Sequence, residues 1–220
     1  MGAFEYYQTS FSYRDLETHQ EVPVGVPEEG GRSLIAQDPL PPGSVYAAAF
    51  SGDHVALQRI EVGKMPGSGK LRITGGLDRS TRESIQTAFD YLKGSKSQLG
   101  VEKDIESFEF HVQVVDLLSS SRESKAGVAY FVALLSLLRE QPVQPGLVVL
   151  GGMTIHGNIQ SVQSLAEPLQ VIMDNGGRRV LLPTSNKRDL LEVPGDIVER
   201  VDPLFFSDPL QAALKALGLS

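Results

Sequence analysis

Ser124 and Lys125 stand side by side and carry the groups that acyl transfer needs, a hydroxyl to attack and an amine to take its proton. A serine hydroxyl is a poor nucleophile until a base removes its proton, and lysine is that base only where a dry site keeps it neutral. Both groups must meet over one point, and neighbours at i and i+1 on a helix do not face each other. The apolar helix that opens after them therefore points the two side chains apart, which leaves Ser124 as a helix-capping hydroxyl. Catalysis by Ser124 with Lys125 stays as the alternative, since no further lysine occurs before Lys187 to act as partner.

Gly67-Ser-Gly-Lys70 suggests a second chemistry, the cradling of phosphate by a glycine-rich loop. That signature needs a glycine five positions before Gly69, where Lys64 stands, and a hydroxyl residue after Lys70, where Leu71 stands. A β-turn is the better reading. His19, His54, His111 and His156 are far apart, with no second histidine at ligand spacing, and His111 and His156 are expected on strand faces. Glu28-Glu29 reads as a solvated loop pair. The sequence offers no metal or cofactor site.

Composition narrows the classes. The chain has 220 residues, 41% hydrophobic, with a net charge of -7 and no cysteine. That size suits one α/β domain with a small appendage. Missing cysteines exclude disulfides, zinc thiolates and a cysteine nucleophile. Scattered Lys and Arg under a net negative charge argue against a stand-alone nucleic-acid binder. With no apolar run of membrane-spanning length and no signal pattern at Met1, a cytoplasmic protein without membrane contact is expected. A strand-like run directly after Met1-Gly2-Ala3 suggests a domain cut from a longer polypeptide.

These candidate groups need elements to hold them. Residues 1–42 read as a β-rich arm, with Phe4, Tyr6, Phe11 and Tyr13 in two short runs and prolines and glycines through the rest. From Gly43 the pattern is regular. Strands are expected at 45–51 and 55–62 around a Gly52-Asp53 turn, and at 70–74. Ser80 to Glu83 reads as a capping box opening a helix to Lys93. Phe108, Phe110, Val112 and Val114 alternate with polar residues as on a half-buried strand. Residues 128–138 are apolar nearly all round, the mark of an interior helix. Strands at 146–150 and 153–159, a helix ending at Asn175-Gly176-Gly177, a strand at 179–182, a helical turn at 186–191, an edge strand at 198–201 and a closing helix at 209–217 complete the expectation.

Several phrases carry a resemblance to one family, in this order along the chain. Pro66-Gly-Ser-Gly-Lys-Leu71 is similar to PGKGKL of the Lon protease domain. Arg82-Glu-Ser-Ile-Gln86 is similar to its QESIQ, and Val180-Leu-Leu-Pro183 with Asp189-Leu to its VLIP and DL phrases. The loop and helix start that the family writes DGPSAG is Arg122-Glu-Ser-Lys-Ala-Gly127 here, and GEVTLRGRVLPIGGLKEK becomes Gly151 to Pro168. Residues 27–31, 40–46 and 89–91 resemble the Lon-related BrxL proteins of BREX phage-defence systems.

The resemblance implies a mixed α/β Lon protease-like fold over 43–220, preceded by the β arm. It also implies that Lys125 stands where the family has its catalytic serine and Pro168 where it has its catalytic lysine, so no catalytic pair remains. Pro168 suits the first turn of a helix, with Ser164 to Glu167 supplying its caps. By the same resemblance, an ATPase of the AAA+ class, which uses ATP and magnesium, precedes this domain. The whole protein is then a homo-oligomer, hexameric, with DNA engaged through other regions. The expected role is that of a pseudo-protease domain serving assembly in phage defence. A working ATP-dependent serine peptidase with displaced residues is the alternative.

Overall fold

The computed structural model describes residues 11–14, 21–24, 33–118 and 126–219. The chain forms two compact units, Met1–Ser33 and Leu34–Ser220, so the larger unit begins upstream of the boundary expected at Gly43. In the first, β1 (Phe11–Arg14) pairs antiparallel with β2 (Glu21–Val24). Phe4, Tyr6, His19 and Glu28-Glu29 lie outside the described residues.

The second unit opens with Ile35, which is fully buried, and with Gln37, whose side chain donates to the Gly176 carbonyl at 2.7 Å. β3 (Ser44–Ser51) and β4 (His54–Pro66) then form a hairpin closed by Ser51 opposite His54. Gly52 supplies the positive φ (+59°) that this two-residue turn requires. β5 (Leu71–Thr74) follows, then α1 (Arg79–Gly94), α2 (Lys96–Leu99) and α3 (Glu102–Ser107).

The cap of α1 differs from expectation. Asp78 accepts from the Thr81 amide and the Thr81 hydroxyl, each at 2.8 Å, so Ser80 lies inside the helix and Glu83 pairs with Arg79 instead. A carboxylate at this end satisfies an orphan donor and also meets the positive pole of the helix.

β6 (Phe108–Asp116) leads to α4 (Gly127–Leu138), and β7 (Leu147–Val149) follows. A small hairpin joins β8 (Gly152–Met153) to β9 (Ile159–Gln160), where the sequence suggested one continuous strand. The chain turns back because Thr154 N–H donates to Asn158 O and Gly157 N–H to Thr154 O, both at 2.9 Å. His156 therefore sits exposed on a turn and not on a strand.

α5 (Ala166–Asp174), β10 (Arg179–Pro183), two 3-10 turns over 184–187 and 189–192, α6 (Gly195–Val198), β11 (Asp202–Phe206) and α7 (Pro209–Ala216) complete the chain. The edge strand thus starts later than the 198–201 expected, and Pro203 lies within it. An edge strand tolerates a missing donor that a central one would not.

The strands build one mixed sheet in the order β11-β10-β7-β3-β4-β6-β5. β3 with β4 and β4 with β6 are antiparallel, and the other neighbours are parallel. Side chains alternate between two cores. Val45, Ala47, Ile60, Val62, Val149 and Leu181 face α1, α4 and α7. Tyr46, Ala48, Leu57, Val148, Val180 and Leu182 face α5, α6 and the chain around Ile35.

Helix α4 lies against β3 and β4 with α1 and α7 on its flanks, which is why an all-apolar helix is stable there. Its Ser136 is buried but satisfied, accepting from Gly43 N–H at 3.0 Å and donating to Gln141 O at 2.6 Å. Among the described residues no helix is long and apolar enough to cross a membrane.

Candidate functional site

The site forms where β3 outruns its neighbour. Register between β3 and β7 ends at Ala47 opposite Val149, and Leu150 N–H then bonds Leu181 O. The chain leaves the sheet through Gly151 at φ +108°, where an added Cβ would lie 2.8 Å from Pro183 Cγ. The freed edge at Ala48, Ala49 and Phe50 faces a cleft of about 310 Å³, closed on its far side by Gln160, Ser161, Val162 and Gln163.

Helix α4 starts beside the chain that leaves the sheet at Gly151, and none of its residues lines the cleft. Its first turn is tied down when Val128 N–H donates to Gly151 O at 3.3 Å, while its N-cap, Ala126, makes no side-chain hydrogen bond. A Cβ on Gly127 would come to 3.0 Å from Met153 Cγ and Met153 N, so a larger residue there would press on the Met153 chain and the space favours glycine. Ser124 and Lys125, the residues just before, lie outside the described residues.

Pro168 is buried at the third position of α5. The first bond inside that helix runs from Leu169 N–H to Leu165 O at 3.0 Å, so the donor that proline lacks had no partner to lose. Helix α5 has no side-chain cap, and the capping expected from Ser164 to Glu167 is not made. Pro168 is not among the residues lining the cleft.

Among the described residues the lining contains no Lys, Arg, His, Asp or Glu, and its one hydroxyl is Ser161. Three lysines of the fold are engaged elsewhere. Lys187 stacks over the Phe205 ring at 5.1 Å, and Lys215 donates to Phe205 O at 2.5 Å. Lys64 pairs with Glu140 at 2.9 Å. His111 meets Thr74 Oγ1 at 2.9 Å on the β5 edge, and His54 is exposed at the start of β4.

Other candidates resolve simply. In the 67–70 loop, Gly67 N–H bonds Ser107 O and Gly69 N–H bonds Phe108 O, both at 2.9 Å, so these amides are not available to a phosphate. No cluster of His, Asp or Glu is placed to hold a metal among the described residues. Two exposed groups have shifted protonation. A hydrogen bond to Glu83 raises the Arg79 guanidinium further, and one from Lys96 holds the Glu106 carboxyl below its ordinary range. Neither group is among the residues lining the cleft.

A residue the sequence did not single out supports the cleft wall. Asn186 is fully buried and binds both backbone groups of Val162. Its partner is far away in sequence, so no local pattern signals it.

A mixed seven-stranded sheet, an almost wholly buried helix bonded to the glycine-bearing strand exit beside a cleft, and a second helix starting just after the cleft's far wall define a Lon-type α/β domain. The chain belongs to the Lon protease (S16) C-terminal proteolytic domain family, whose model matches residues 39–217. It is similar to the Lon-like protease BrxL of Escherichia coli O9:H4 (strain HS), 39% identical over 223 residues, covering all of this chain and 32% of that protein. The Lon-like protease BrxL of Bacillus cereus (strain H3081.97) is 33% identical over 221 residues, covering all of this chain and 33% of its own. Lon protease of Escherichia coli (strain K12) is 33% identical over 161 residues, 73% of this chain and 20% of that protein. The chain thus spans about a third of the length of the BrxL relatives it matches.

Proposed function

We propose that this chain is the Lon-like portion of a BrxL-type protein of phage defence, a domain that does not hydrolyse peptides and is kept for assembly. The observation that carries the reading is the neutral cleft. Activating a serine needs a base within hydrogen-bond reach, and the described lining supplies none. In this reading Pro168 stands where the family has its lysine, as the resemblance of residues 151–168 implies, and a proline can neither take nor return a proton. Lys125 in the serine position would leave no hydroxyl to acylate.

In this reading the domain's partners are its own copies and an ATPase of the AAA+ class in the rest of the protein, which binds ATP and magnesium. The whole assembles in the cytoplasm as a hexamer, and DNA is engaged through other regions. Similarity to BrxL proteins over the full chain supports this placement.

The test uses the full-length protein with ATP and an unfolded substrate, alongside light scattering with and without residues 43–220. No peptide products and a loss of ring mass on truncation are expected. Cleavage that disappears on Ser124→Ala or Lys125→Ala would establish the peptidase alternative, and unchanged ring mass would remove the assembly role.

A further inference from the structure

We infer that Asn186 is a positioning residue that sets the outer wall of the cleft, its carboxamide standing in for a missing strand neighbour. The wall has little other regular support. Residues 161–163 follow a hairpin with only two paired positions on each side, Gly152 with Gln160 and Met153 with Ile159, and that ladder is separate from the seven-stranded sheet.

Asn186 takes over where the ladder ends. Its Oδ1 accepts from Val162 N–H at 3.0 Å and its Nδ2 donates to Val162 O at 2.8 Å, the two bonds that an adjacent strand residue would make. Nδ2 also donates to Asp189 Oδ2 at 2.6 Å, which fixes which end of the amide faces which group. The side chain is fully buried, whereas Gln160, Ser161 and Gln163 around its partner are exposed. Asn186 lies in the 3-10 turn that follows β10 without a break, so its side chain ties the wall to the sheet directionally, beside the packing of Val162 against the core.

The geometry has a mechanical consequence. Breaking this link releases the wall locally, because the sheet strands bond to one another and not to Val162. The cleft then widens while the fold holds. This inference stands whether or not the cleft cleaves peptides, since it concerns the wall and not the chemistry.

Backbone amide exchange on the intact protein tests it. In Asn186→Ala the Val162 amide should exchange about tenfold faster or more, the equivalent of losing one net hydrogen bond. Amides of Leu147–Val149 and Arg179–Leu182 should be unchanged. A second variant, Asp189→Ala, removes the Asp189 contact and keeps both Val162 bonds of Asn186. It should retain most of the Val162 protection. Unchanged exchange at 160–163 in Asn186→Ala would overturn the assignment. Faster exchange spread equally over the sheet would make Asn186 a general stability residue and overturn it as well. So would an Asp189→Ala variant as unprotected as Asn186→Ala.

Discussion

Helix α4 and the wall at 151–163 meet at one hydrogen bond, Val128 to Gly151, and yet they are built on opposite principles. Phe131, Leu134 and Leu135 of α4 are fully buried among side chains of α1, α7 and the sheet, so many small contacts hold the helix. The wall packs only through Met153, Ile159 and Val162 and leans for the rest on directional contacts, a short ladder, a turn at 154–158 and the Asn186 link, and it leaves Ile155 more than half exposed. A core held by packing keeps its shape whatever residue stands at the helix start. A wall that leans on directional contacts can change its chemistry or position without endangering the sheet.

The largest expected effect breaks the packed side. Phe131→Ala removes a fully buried ring whose centroid lies 5.3 Å from that of Tyr91, and should cost about 3–5 kcal/mol of stability in urea titration. A loss below about 1 kcal/mol would mean the layer repacks freely, and the contrast with the wall would collapse.

The next effect belongs to the wall side. Gly157 sits at φ +81°, and a Cβ there would lie 2.5 Å from Tyr91 Cε2. Gly157→Ala should cost about 1–2 kcal/mol from the left-handed backbone, with more if the Tyr91 ring cannot move aside. Amide exchange should rise at 153–159 and not in β3 or β4. A uniform rise would show that the hairpin is as much a part of the cooperative core as α4.

The packed side was legible in the sequence and the wall was not, for the same physical reason. Unbroken apolarity at 128–138 and alternation at 108–114 report burial directly, because burial depends on composition and period. The hairpin at 152–160 escaped because its four paired residues are too few to show a period, and Gly157 with the Thr154 hydroxyl sets the turn. Asn186 escaped because its partner Val162 is distant in sequence. The α1 cap lies two residues before the expected one, since Asp78 and Ser80 are both good caps and only the geometry at Thr81 decides. Of the candidate site, Pro168 falls in the first turn of a helix as its sequence context suggests, and Ser124 with Lys125 lies outside the described residues.

The smallest expected effect comes from a pair that belongs to neither region and sets the floor for both. Lys96 and Glu106 join α2 to α3 at the surface, and the hydrogen bond from Lys96, reinforced by its charge, holds the Glu106 carboxyl below its ordinary range. A group whose folded value is depressed binds fewer protons folded than unfolded, so its contribution is present above the unfolded value and is lost as pH falls through the folded one. Glu106→Gln should therefore melt slightly below the parent near neutrality, and the difference should close on acidification through the carboxylate range. Salt should shrink it as well, because the glutamate is exposed and the attraction is screened within about 10 Å at ordinary ionic strength. Thermal melts of both proteins across that pH range, at low and high salt, check the sign. A difference that widens in acid would mean Glu106 is stabilised in its protonated form, against the hydrogen bond described here. A difference as large as that of Gly157→Ala would place a surface ion pair on a level with backbone strain in the wall, and the ranking of packing over directional contacts over surface charge would fail.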